Sequence, residues 1–193
     1  MPIIHRIREK NCQIGIWEIN ESLNDLVKLS NNLDSLKFKT KKRKIEFLSI
    51  RLLLKEIAPN ISISYNKYGA PEIESNNSIS ISHSKKFTAI IISKYKVGID
   101  IEKISKKPLK LSSKFILRNT HKPLCEEKAT LIWCCKETIF KWYQKGNINF
   151  INDIKINPFT IEEKGRLIVK FRKNDLTLQY RKIDTHFLVY VCK

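Results

Sequence analysis

The sequence predicts an α+β protein of two similar halves, each an antiparallel sheet with helices. Two observations carry this. Short alternating segments that suit strands come in runs, and helical patterns interrupt those runs twice instead of following every strand. The order strand, helix, helix, strands is also repeated as helix, helix, strands. That puts a seam near residues 93–96 and divides the chain into an N-terminal half, 1–95, and a C-terminal half, 96–193. A chain of 193 residues with 42% apolar side chains can bury a core of this size.

Along the chain, QIGIWEI (13–19) alternates as a strand, and ESLNDLVKLSNNL (21–33) reads as a short helix behind Asn20 as N-cap. Residues 40–57, TKKRKIEFLSIRLLLKEI, form a long amphipathic helix that Pro59 stops. Arg43 and Arg51 lie on it, eight residues and so about 80° apart. ISISY, a turn at NKYG, PEIE, a turn at SNN, SISIS, FTAIIIS and KVGIDIE then read as an antiparallel meander over residues 61–102. KPLKLSSKFIL (107–117) and CEEKATLIWCCKETIFKWYQK (125–145) read as helices, with Gly146 the stop of the second. DIKI, RLIVKFR, LTLQYR and HFLVYV close the chain as hairpin-like strands.

Composition narrows the class. No apolar run is long enough to span a membrane, and charges interrupt the first 19 residues, so neither a span nor a secretory signal is expected. Five cysteines, an odd number without a C-x-x-C pair, argue against a disulfide framework or zinc cluster and for a reducing cytoplasm. Cys134 and Cys135 read as small packing residues. The net charge of +18 admits a nucleic-acid footprint, an acidic partner protein or an anionic small substrate. Lysine outnumbers arginine 29 to 8 beside abundant Ile and Asn, a bias that AT-rich codons alone would produce. No RNA-recognition, zinc-finger or helix-turn-helix pattern supports the nucleic-acid reading.

The chemistry concentrates in three short stretches. In VGIDIE, Asp100 and Glu102 are two apart on a strand, so both carboxylates leave one face while Ile99 and Ile101 fill the other. Their repulsion calls for water, a base or a cation, and a strand end facing solvent would also meet it. On the helix that carries LIWCCKETIFKW, Trp133, Glu137, Phe140, Lys141 and Gln144 share a stripe; Glu137 and Lys141 also form an ordinary i, i+4 pair. Together Asp100, Glu102 and Glu137 supply three hard oxygen ligands, a set suited to Mg²⁺ held between carboxylates and substrate phosphates, with Lys141 facing a phosphate. Ser82, His83 and Ser84 in SISHS offer donors for another phosphate, although a lone histidine at a strand end also serves structure.

VGIDIE, followed 31 residues after Glu102 by WCCKETIFK, resembles the paired signature of the 4'-phosphopantetheinyl transferases, G-I/V-D and then F/W-x-x-K-E-x-x-x-K. SISHS resembles the family's S-H-S element, YNKYGAPEI its N-x-x-G-K-P turn, and EFLSIRLLL its arginine-bearing helix. The resemblance runs from about residue 14 to 145. Length and the central VGIDIE resemble the monomeric type, whose two halves are related by a pseudo-twofold with the active site in the cleft between them.

The resemblance implies transfer of the 4'-phosphopantetheine arm of coenzyme A onto a serine of an apo acyl carrier protein of fatty-acid or related synthesis, releasing adenosine 3',5'-bisphosphate. Residues 1–95 would form the coenzyme-phosphate side, and 96–193 the metal strand and catalytic helix. Asp100, Glu102 and Glu137 would hold Mg²⁺, or Mn²⁺. Glu137, or a water on the ion, would draw the serine proton, and Lys141 would stabilise the leaving phosphate. Arg43, Arg51, Ser82 and His83 would bind the adenosine phosphates. Two departures stand out. Ala70 replaces the lysine of G-K-P, so either Lys67 substitutes or nucleotide affinity falls. Thr120 and His121 stand where the family carries an auxiliary acid, so either Glu126 or Glu127 serves or that acid is dispensable. A monomer working without membrane or nucleic acid is implied. The alternatives are a coenzyme-binding relic without turnover and a basic nucleic-acid-binding protein.

Overall fold

The computed structural model describes residues 3–9, 11–31, 38–74 and 76–193. It is a mixed α+β structure in which the described residues form three antiparallel sheets and four α-helices. The first sheet has four strands. β1 (Ile3–Glu9) and β2 (Cys12–Glu18) form a hairpin, β6 (Phe87–Ser93) pairs with β2, and β5 (Ser78–His83) pairs with β6. Sequence reading passed over β1 because His5, Arg6, Arg8 and Glu9 interrupt it. As an edge strand it turns His5, Arg6 and Arg8 to solvent.

Helix α1 (Leu23–Leu29) is capped by Ser22, not by the expected Asn20. Ser22 accepts from the Asp25 N–H while the Asp25 carboxylate accepts from the Ser22 N–H, a reciprocal arrangement that Asn20 cannot make with Leu23. The end of the predicted segment, residues 32 and 33, lies outside the described residues. Helix α2 (Lys41–Ile57) starts at Thr40, as expected, and ends ahead of Pro59. It lies directly on β2, where a Cβ on Gly15 would come within 2.9 Å of Ile57. A small hairpin follows, β3 (Ile63–Tyr65) and β4 (Pro71–Ile73). Asn66 Oδ1 ties its turn by accepting from the Tyr68 and Ala70 N–H groups, and Gly69 supplies the positive φ of 78°.

The predicted meander breaks at β7 (Val97–Lys103). Both edges of β6 are taken by β2 and β5, so the chain turns through 94–96 and β7 joins a second sheet of order β7-β11-β10-β9-β8. The other members are β8 (Ile154–Ile156), β9 (Lys164–Phe171), β10 (Asn174–Ile183) and β11 (His186–Cys192). Where β5 meets β7, side chains replace the main-chain ladder: Ser80 Oγ accepts from the Ile99 N–H at 3.1 Å and Ser82 Oγ from the Ile101 N–H at 3.2 Å.

The predicted helix over 107–117 is a five-residue α3 (Lys106–Lys110) and a 3₁₀ turn (Ser112–Lys114), divided at Leu111 ahead of two serines. Helix α4 (Glu126–Tyr143) stops at Gln144, which takes the left-handed conformation two residues before Gly146. Leu131, Ile132, Cys134, Cys135 and Ile139 bury its inner face in the core of the second sheet. Burial pushes the Cys135 thiol up to about 12 and raises the Cys134 thiol as well, as suits packing residues. Among the described residues no helix is long and apolar enough to cross a membrane.

Candidate active site

Strand β7 buries Ile99 and Ile101 on one face and turns Asp100 the other way, toward β5 and α4. Only 3% of Asp100 is exposed. Its Oδ1 accepts from Ser82 Oγ at 2.8 Å and from Lys141 Nζ at 2.7 Å. Its Oδ2 is buried and has no hydrogen-bond partner among the described residues. Glu102 accepts a hydrogen bond from Trp133 Nε1 at 3.1 Å. Burial first, and then the charge of Asp100, pushes the carboxyls of Glu102 and Glu137 up to about 7. One ammonium thus faces three acids whose negative charges oppose each other.

These features bear on a cation. The donors are hard oxygens, Asp100 holds an unpartnered buried oxygen, and a divalent ion would offset the burial and the repulsion that together push two carboxyls up to about 7. The donor set therefore fits Mg²⁺. Among the described residues no three His, Cys, Asp or Glu side chains stand together as a ready-made cage.

Two residues to which the sequence assigned no role shape the site. Lys136, just before Glu137, is 4% exposed and donates to the carbonyls of Phe150 and Ile154. Phe150 is thereby held against Trp133, 5.6 Å between ring centres, and Phe140, 6.1 Å away. Lys136 has Ile132 four residues before it and Ile139 three after, both fully buried, and this spacing, with its place ahead of Glu137 in WCCKETIFK, was the signal for its burial. Glu46, on α2, is 5% exposed and sits 3.1 Å from Arg43 and 3.4 Å from His83.

A pocket of about 460 Å³ opens between α2, the β3–β4 hairpin, β5 and α4. Arg43 and His83 line one wall, Lys141, Phe140 and Gln144 another, and Tyr65, Tyr68 and Ala70 the hairpin side. Of the residues predicted to bind phosphates, Arg43 and His83 are thus brought to one cavity with Lys141. Lys67 lies beside it, its ammonium 5.1 Å from the centre of the Tyr68 ring. Arg51 does not line the pocket; its guanidinium lies over Phe47 at 4.9 Å. Ser82 does not line it either, since its proton is committed to Asp100 and it accepts from Ile101. Thr120 and His121 line a separate cavity with Cys125 and Phe159. Glu127 pairs with Lys182 at 2.8 Å on the first turn of α4, about 15 Å along the helix from Glu137.

A family model of the 4'-phosphopantetheinyl transferase superfamily matches residues 96–192, which include β7 and α4. A curated protein, 4'-phosphopantetheinyl transferase gsp of Aneurinibacillus migulanus, is 30% identical over 122 residues, 60% of this chain and 49% of that protein. The match therefore spans about half the length of this relative.

Proposed function

Because the chain belongs to the 4'-phosphopantetheinyl transferase superfamily, we propose that it transfers the 4'-phosphopantetheine arm of coenzyme A to a serine of an apo acyl carrier protein. The observation that carries this reading is the ion pair between half-buried Lys141 and buried Asp100, set beside two carboxyls held near neutrality. The serine oxygen forms a bond to the phosphorus bearing pantetheine, the anhydride oxygen leaves with the other phosphate, and adenosine 3',5'-bisphosphate is released.

Glu137 takes the serine proton; a group that titrates near 7 is matched to that task at neutral pH. Lys141 turns from Asp100 toward the leaving phosphate and stabilises its growing charge. Ser82 and Trp133 fix Asp100 and Glu102. Asp100, Glu102 and Glu137 would hold Mg²⁺ or Mn²⁺, which when bound supplies positive charge to the diphosphate. Arg43 and His83 take a phosphate of the nucleotide, with Lys67 at the rim.

In this reading residues 1–95 are the coenzyme side and 96–193 the metal side, related by a pseudo-twofold with the site in the cleft. One long helix on each larger sheet supports it. The net charge of +18 suits docking of an acidic carrier of fatty-acid or related synthesis, with the monomer acting in the cytoplasm.

The test is incubation with apo acyl carrier protein, coenzyme A and Mg²⁺, with an EDTA control, and intact-mass measurement of the carrier. A gain of one phosphopantetheine mass, absent with EDTA, is expected. No gain across several carriers would leave a coenzyme-binding relic.

A further inference from the structure

Glu46 is an acid that the proposed reaction does not use, yet it stands beside the cations of the pocket. Its Oε2 accepts from Arg43 Nη1 at 3.1 Å, and its Oε1 lies 3.4 Å from His83 Nδ1 and 3.7 Å from Lys42 Nζ. Arg43 and His83 line the pocket and Glu46 does not. The carboxylate is therefore behind the Arg43 guanidinium and the His83 ring, and the arrangement presents their donors toward the cavity with the negative charge at the back. A buried carboxylate is costly to keep and needs such partners. In return it restrains Arg43, whose side chain is otherwise largely in solvent.

The effect on His83 has a definite sign. Burial pushes its pKa down, and Lys141, Arg43 and Lys42 push it further; Glu46 alone pulls it up. Glu46 is thus the group that favours the imidazolium, the form that donates from both ring nitrogens. With Nδ1 turned to Glu46, Nε2 is the donor left for a ligand.

Coenzyme A carries a diphosphate and, apart from it, a 3'-phosphate on the ribose. Two separate cationic groups meet the pocket: Lys141 beside Asp100, and Arg43 with His83. Resting on the function proposed above, the diphosphate belongs with the first. We infer that Glu46 is a positioning residue that sets the preference for a nucleotide bearing the 3'-phosphate, by holding Arg43 and His83 as a paired donor for that group.

The test needs no turnover. Binding of adenosine 3',5'-bisphosphate and of adenosine 5'-monophosphate is measured by calorimetry on the full chain, for wild type, Glu46→Gln, Glu46→Asp, His83→Ala and the Glu46→Gln/His83→Ala double variant. Wild type should prefer the bisphosphate by about tenfold or more. Glu46→Gln should lose most of that preference while affinity for the monophosphate changes less than about twofold, and Glu46→Asp should fall between. The double variant should bind no worse than His83→Ala. Equal losses for both nucleotides, or a preference that Glu46→Gln retains, would overturn the inference and leave Glu46 a structural residue. If Glu46→Gln does not fold by circular dichroism, Glu46→Asp carries the same comparison. Wild type that binds neither nucleotide would overturn the coenzyme reading itself, and this inference with it.

Discussion

Gly98 lies so close to Thr138 that a Cβ built on it would stand 2.3 Å from the Thr138 carbonyl oxygen and 2.9 Å from Trp142. Strand β7 and helix α4 touch there with no side chain between them, and this contact lets Lys141 reach Asp100. Gly98→Ala forces the backbones apart. Because the obstruction is main chain, the cost should be about 3 kcal/mol or more. Transfer activity should fall at least about tenfold even where the variant folds, since the cost lies in the alignment of acids and ammonium. Thermal melts and the carrier-mass assay check both. A variant with wild-type melting and rate would contradict the close-contact account.

Lys136→Met should lose about 2–4 kcal/mol, because two buried carbonyls lose their charged donor. The loss should be local as well as global. Amide exchange should quicken over residues 147–154, where Phe150 is no longer tethered against Trp133 and Phe140.

Glu137→Gln should abolish transfer and raise stability in alkaline solution. The folded protein keeps the Glu137 proton up to about pH 7, whereas the unfolded chain releases it near the ordinary carboxyl value of 4.5. The folded form binds more protons in that window, so the wild type loses stability as pH rises through it. Glutamine has no such dependence. The variant should match wild type near pH 4 and exceed it by about 1–2 kcal/mol near pH 8. Denaturant melts at the two pH values read this, and a variant less stable than wild type at the higher pH would count against a strained carboxyl.

Ser82→Ala should cost about 1–3 kcal/mol, since the Ile101 N–H and one oxygen of Asp100 each lose a partner. Transfer should drop less than in Asp100→Ala, because Lys141 still holds the carboxylate.

The four candidate side chains of the site were readable in the sequence for a geometric reason. A strand repeats every two residues and a helix nearly every four, so Asp100 with Glu102 and Glu137 with Lys141 share faces whatever surrounds them. What surrounds them was not readable in the same way. The partner of β7 depends on which strand edges are already occupied, and local alternation carries no information about that. Ser82 reads as a phosphate donor in the sequence because a hydroxyl is chemically indifferent to its partner; its contact with Asp100 depends on the approach of β5 to β7, which local pattern does not carry. Lys136 and Glu46 are charged residues on buried faces, where their spacing conflicts with their chemistry. Such conflicts mark places where a tertiary contact overrides local preference.

Asp100 pairs in register with Val189, and Glu102 with Phe187. The strand that carries both acids therefore waits for a neighbour that leaves the ribosome long after it does. Until residues 186–192 are made, β7 has no ladder partner, and distant pairings of this kind form slowly. The first sheet, with its pocket wall of Arg43 and His83, can take shape early in synthesis. The acidic side of the candidate site is completed last, so an unfinished chain has one wall of the pocket and no settled set of acids to face it.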